Sequence, residues 1–190
     1  MTYATQELRD EHEGIKVAIA VLDRLAEDLE SGRTVEVDDL DGLVDFLRTF
    51  ADRCHHGKEE DLLFPALENA GIPREGGPIG VMLTDHTHGR EFIRAMGDAL
   101  PGLHDGDPNA RQAFASAAHG YARLLTEHIE KENNCLFGMA EQHLSQEEHA
   151  ELAEGFERIE QERIGPGVHE RYHALLDRLR DKYLPGNGDG

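Results

Sequence analysis

Tryptophan is absent from this 190-residue chain, aromatic residues make up only 6%, and there are two cysteines. Few aromatics and short β-branched runs leave little from which to build a sheet. Cys54 and Cys135 are too few for a disulfide framework and read as free thiols of a reducing compartment. Basic residues are scarce beside acidic ones, 19 against 39, giving a formal net charge of −20. That balance argues against nucleic acid and anionic membrane surfaces as partners. No apolar run is long enough to span a bilayer, and residues 1–10 hold no apolar core of the signal-peptide kind. The expected location is therefore cytoplasmic. What the chain has in quantity is Glu, Leu, Ala, Asp and Arg, which favour helix, in a length that suits one domain with a sizeable core. It also has 12 histidines, many for its size.

Two segments share one pattern. His55-His56-Gly57-Lys58-Glu59-Glu60-Asp61-Leu62-Leu63-Phe64 and His128-Ile129-Glu130-Lys131-Glu132-Asn133-Asn134-Cys135-Leu136-Phe137 both read H-x-x-K-E-x-x-x-L-F, 73 residues apart. A His and a Glu spaced i, i+4 lie on one face of a helix. His12, after Glu11, precedes His55 by 43 residues, and His86, after Asp85, precedes His128 by 42. The unit is a helix with one His followed by a helix with His-x-x-x-Glu, used twice.

Apolar periodicity predicts four long helices. The first runs from about Thr5 to Glu30 and buries Leu8, His12, Ile15, Ile19, Leu22, Ala26 and Leu29. The second, Asp38 to Asn69, buries Val44, Leu47, Ala51, Cys54, His55, Glu59, Leu62 and Ala66, with a disturbance expected at Pro65. The third, Ile79 to Leu100, turns Ile79, Met82, Leu83, His86, Arg90, Ile93 and Gly97 inward and ends at a loop from Pro101 to Pro108. The fourth, Asn109 to Gln142, buries Phe114, Ala117, Tyr121, Leu124, Leu125, His128, Glu132, Cys135, Leu136 and Met139. Ser145 with Glu148 reads as a capping box for a fifth helix to about Arg163. Gly165-Pro-Gly167 breaks it, and a short sixth helix reaches Leu184. The expectation is an all-α protein. An antiparallel up-down four-helix bundle occupies residues 1–142, one or two C-terminal helices in 143–184 pack on it, and a flexible tail spans 185–190.

Helix rise of about 1.5 Å per residue lets antiparallel neighbours bring His12, His55, Glu59, His86, His128 and Glu132 to one level. A lone His on an apolar face is commonly a core residue, and a lone His/Glu pair a surface pair. Six such residues in apolar stripes, in two matched units, are different. Two carboxylates and four imidazoles in a bundle core are costly without a metal. Nitrogen with carboxylate suits iron, manganese or zinc rather than calcium or magnesium. Two carboxylates related by duplication suit two metals, each Glu bridging, and iron gives such a site access to O2, NO or peroxide. His88, His104, His119, His143, His149, His169 and His173 follow no such pattern and read as solvated.

The pattern Leu8-Arg-Asp-Glu-His12, Cys54-His-His-Gly-Lys-Glu-Glu-Asp-Leu-Leu-Phe-Pro65, Asp85-His86-x-x-Gly89-Arg90 and His128-Ile-x-Lys-Glu132-x-x-x-Leu-Phe137 resembles the hemerythrin-like, HHE cation-binding family. The resemblance covers residues 5 to 142. It implies a non-haem di-iron centre in a four-helix bundle, with His12 and His55 on one iron, His86 and His128 on the other, and Glu59 and Glu132 bridging. The oxygen-carrying members have His-x-x-x-His on the third helix, where this chain has His86 and Arg90. Arg90 is left to pair with a bridging carboxylate, to meet a bound anion such as peroxide, or to bridge to a nearby Glu. His56 is an alternative ligand for the second iron, although its direction in a regular helix is about 100° from that of His55. Tyr121 reads as a core residue with its hydroxyl bonded nearby, or as a partner of the site. Glu60 reads as facing water or as orienting a His. An open coordination position favours redox chemistry, sensing or storage over reversible oxygen carriage. The function expected is binding of metal with a small diatomic or peroxide ligand. The alternatives are a peroxidase, catalase-like or oxidase enzyme, and a zinc-binding structural or interaction bundle. The cofactor expected is two iron ions, with zinc or manganese as the substitutes in protein as purified.

Overall fold

The computed structural model describes residues 3–184, so the tail expected at 185–190 lies outside the described residues. Six helices and no strand form the described chain. They are α1 (Ala4–Glu30), α2 (37–69), α3 (Pro78–His104), α4 (108–143), α5 (Gln146–Arg163) and α6 (Val168–Tyr183). Local chemistry sets their ends. Asp107 accepts from the backbone N–H of Asn109 at the start of α4, with Pro108 in the first turn, where its missing N–H costs nothing. Ser145 and Glu148 form the expected capping box of α5. Gly71 and Gly106 end α2 and α3 at positive φ, 93° and 76°, and the residue after each donates back to the closing turn.

α3 does not stop at Leu100. It runs through Pro101 to His104. The proline removes one N–H near the end of the helix, while Ala99 and Leu103 keep that last turn pressed into the core.

A larger departure lies within α2 and α4. Each contains widened turns of π-helical form, at Leu47–His56 and Glu59–Leu63 in α2 and at Glu132–Leu136 in α4. Such turns bond i to i+5 and shift the helix face by one residue. Leu63 and Leu67 are therefore the buried pair at the end of α2, and Leu62 and Ala66, expected inward, are only half-buried. In α4, Cys135 is exposed and Leu136 with Ala140 is buried. Pro65 is not the cause, because Gly138 holds the matching position in α4 and the turn is there too. The helix takes up Pro65 in the first turn after the wide segment.

α1 packs along α4, α4 along α3, and α3 along α2, while α5 and α6 lie against α1 and α2. Two apolar clusters result. The larger unites Ile15–Leu29, Leu40–Ala51, Ile93–Leu103 and Ala110–Ile129 with Tyr172, Leu176 and Leu179 of α6. The smaller joins Leu8, Leu63, Phe64, Leu67, Ile79, Met82, Leu136 and Phe137 with Leu152 and Phe156 of α5. A polar layer lies between them, and every helix that crosses it does so through a candidate ligand.

Candidate metal centre

That layer holds His12, His55, His56, Glu59, His86, His128 and Glu132, all at most 2% exposed. They sort into two groups whose donor atoms lie within 4.8 Å of one another: His12, His55, Glu59 and Glu132, and His56, Glu59, His86 and His128. Glu59 belongs to both. Its Oε1 is 3.7 Å from His55 Nε2, and its Oε2 is 3.4 Å from His86 Nε2. Glu132 spans the layer in the same way, with Oε2 3.2 Å from His12 Nε2 and Oε1 3.2 Å from His128 Nε2.

His56 joins the second group, so its expected offset from His55 does not apply. The offset holds for a regular α-helix, and His55 and His56 end a widened turn that carries less rotation per residue. The His56 ring stacks on His86 with 3.9 Å between centroids.

The outer ring nitrogens are held from behind. His12 Nδ1 donates to Asn133 Oδ1 at 3.0 Å, His55 Nδ1 to Glu11 Oε2 at 2.7 Å, and His86 Nδ1 to Glu60 Oε1 at 2.7 Å. His128 Nδ1 faces Asp85 Oδ2 at 3.4 Å. For His12, His55 and His86 this pattern puts the ring proton on Nδ1 and turns the Nε2 lone pair inward, the orientation in which a second contact fixes a ligating imidazole. The duplication seen in the motif extends to these supports. Glu11 and Asp85 each precede the single His of their unit, and Glu60 and Asn133 each follow the motif Glu. The motif lysines serve the same end: Lys58 pairs with Glu11 and Lys131 with Asp85.

Arg90 takes the third of its open roles. It donates to Asp52 and Glu60, at 2.7 and 2.8 Å, and so steadies the carboxylate behind His86. Glu60 does not simply face water, since it accepts from both His86 and Arg90. Tyr121 is a core residue as expected, but its hydroxyl has no partner. Among the histidines expected in solvent, His149 is buried, edge-on to Tyr3. It sits in the first turn of α5, and both of its ring nitrogens are buried without a hydrogen-bond partner.

Electrostatics separates the groups. Burial drives the imidazoles of His55 and His86 down, and that of His56 down to about 4. They are neutral and available to donate an electron pair. His128 is buried as well, but Glu132 beside it outweighs burial and pushes it up to about 10. Burial and the neighbouring charge of Glu132 raise Glu59. Burial also works against the Glu132 anion, yet His128 and His12 hold it well below the usual carboxylate range.

The fit to a cation rests on the donor set. All four oxygens of Glu59 and Glu132 and His12 Nε2 are buried without a hydrogen-bond partner. His86 Nε2 and His128 Nε2 face each other at 3.2 Å. A buried carboxylate anion costs several kcal/mol even after relaxation. His128 and His12 offset part of this at Glu132, and a divalent cation between these atoms removes the rest at both carboxylates. The sequence pattern pointed to six of these residues and named His56 and Glu60 besides. It did not single out Glu11, Asp85, Lys58, Lys131 or Asn133, although the repeated lysine and the acid before each single His were visible as signals.

The model of the hemerythrin HHE cation-binding domain matches residues 3–140. An uncharacterized protein of Mycobacterium tuberculosis, Rv1995, is 27% identical over 184 residues, which cover 94% of this chain and 68% of that protein. The uncharacterized protein Mb2018 of Mycobacterium bovis is similar to the same degree. No solved structure matches. The chain belongs to the hemerythrin HHE cation-binding family.

Proposed function

We propose that this hemerythrin HHE family member is a non-haem di-iron protein that binds O2, NO or peroxide in sensing, storage or detoxification. His12 and His55 would hold one iron, and His86 and His128, with His56 as a third imidazole, the other. Glu59 and Glu132 would bridge the pair. The observation that carries this reading is the set of four carboxylate oxygens buried without donors, ringed by inward-facing Nε2 atoms. Bound iron would supply redox chemistry and open positions for a small ligand. The chain supplies orientation through the Nδ1 contacts and excludes water with an apolar cluster on either side.

The short turns after α1, α2 and α3 support an antiparallel up-down order for the first four helices. On this reading residues 1–142 are the metal-binding bundle and 143–184 an extension packed on it. No described helix is long and apolar enough to cross a membrane. The two free thiols support the reading of a cytoplasmic protein, and the net charge of −20 that of one without a nucleic-acid or anionic-membrane partner. Peroxidase or catalase-like turnover is the second reading. Arg90 stands where the oxygen carriers have a His, but His56 would supply a third imidazole in its place, so the ligand set does not raise this reading above the first. A zinc-holding structural bundle is the third outcome of the same test.

The test is metal content after anaerobic Fe(II) reconstitution, followed by visible spectra on adding O2 and then peroxide. Two irons per chain with charge-transfer bands, both lost in Glu59→Ala and Glu132→Ala, are expected. Rapid peroxide consumption would favour the enzyme. One metal or none, without bands, would overturn the di-iron reading.

A further inference from the structure

The two halves of the centre are built alike but not closed alike. Lys131 pairs with Asp85 while 41% exposed, and behind it the contact from His128 Nδ1 to Asp85 is 3.4 Å. Its counterpart Lys58 is fully buried and its ammonium meets three carboxylates, Glu7 at 2.6 Å, Glu11 at 2.5 Å and Glu160 at 3.4 Å. Behind Lys58, the contact from His55 Nδ1 to Glu11 is 2.7 Å. Among the described residues Lys131 meets Asp85 alone, so the second half lacks both further carboxylates, and one of the two that Lys58 has in addition is Glu160. It comes from α5, outside the residues that match the family, and is itself met by His169 Nδ1 of α6 at 3.3 Å.

An ammonium has three donors and is tolerated in a dry interior only when all are met. With all three met, Lys58 has no reason to leave Glu11, and Glu11 none to release His55. A second grip from the same helix reinforces this. Arg163 lies over Gly57, where any Cβ would collide with its guanidinium, donates to the carbonyl of Arg53 at 3.0 Å and pairs with Asp61. The end of α5 thus holds residues 53–61, the stretch that carries His55, His56 and Glu59.

We propose that Glu160 is a positioning residue for His55, acting through Lys58 and Glu11. The C-terminal helices thereby fix the His55 half of the centre, while the His128 half stays adjustable. The inference rests on the proposed function in taking His55 as a ligand, but its first test needs no metal. In metal-free, nitrogen-15-labelled protein, solvent exchange of each imidazole Nδ1–H is measured by NMR, with signals assigned by single His→Gln variants. In Glu160→Ala, exchange at His55 should rise at least about tenfold, with His12, His86 and His128 unchanged. Glu160→Gln, which keeps an acceptor for Lys58, should restore most of the protection. Lys131→Ala should raise exchange at His128 alone. An unchanged His55 signal in Glu160→Ala, or an equal rise at all four rings, overturns the proposal. Cobalt(II) titration against a chelator follows. Wild type should take up two ions, and Glu160→Ala should bind one of them about tenfold more weakly, within the usual range for a lost outer contact. If wild type takes up no cobalt while the NMR result stands, the metal reading fails and the role of Glu160 survives.

Discussion

Glu59 is a carboxylate kept where folding alone would not keep one. Both oxygens lack donors, and burial and the charge of Glu132 raise it. Its proton is therefore held more tightly in the folded chain than in the unfolded one. The penalty is absent below the unfolded value of 4.5 and grows as pH rises through the higher folded value. Glu59→Gln should accordingly stabilise the metal-free protein near neutral pH by about 1–3 kcal/mol, an advantage that shrinks on acidification, while metal binding falls. Denaturant unfolding of the two metal-free proteins across pH checks it. A Gln variant less stable at neutral pH would mean that Glu59 is anchored by contacts the structure lacks. Glu132 is the poorer site for this experiment, because His128 and His12 already hold its charge.

At the scale of elements, the widened turns decide what α2 and α4 present to the centre. In a regular helix His56 would point away from His55, and Leu62 and Cys135 would be inward. The widened turns bring His56 to the centre, leave Leu62 half-buried and expose Cys135. α6 depends on a different device, Asp39 at the start of α2, which accepts from Arg178, Lys182 and Tyr183. Burial disfavours the Asp39 anion, but the contacts from Lys182, Tyr183 and Arg178 prevail and lower it below 3.8. A lowered carboxylate stabilises above its unfolded value, and that stability is lost as pH falls through the folded one. α6 should therefore loosen below about pH 3.8. Asp39→Asn should loosen it at neutral pH, at a cost of about 1–3 kcal/mol. Amide exchange in α6 is the measurement. Protection unchanged in Asp39→Asn would assign the docking of α6 to Tyr172, Leu176 and Leu179 alone.

Across the whole molecule, two apolar clusters sandwich a layer that folding energetics would exclude. The clusters must offset the cost of that layer, and α5 contributes to the smaller one. Phe156 is fully buried there among Leu63, Phe64 and Phe137. Phe156→Ala should destabilise the protein by about 3–5 kcal/mol, seen as a lower melting temperature with or without metal. A loss under about 1 kcal/mol would mean that the pocket collapses around the smaller side chain. The net charge of −20 lies outside the layer for the most part and bears on solubility more than on the fold.

Helix periodicity and turn residues were enough to read six helices and most of their ends from the sequence, because those are properties of near neighbours in the chain. The doubled His-x-x-x-Glu pattern, with its single-His helices, was enough to name six of the seven side chains that converge. Three things depended on the tertiary structure. The face of His56 followed from a widened turn, and hydrogen-bonding pattern rather than composition defines such a turn. The Nδ1 partners of His12, His55, His86 and His128 come from other helices, as with Asn133 for His12 and Glu60 for His86, so no local spacing encodes them. Glu160 lies 102 residues from Lys58. Only packing of α5 against the bundle brings that carboxylate to the buried ammonium and makes the two halves unequal.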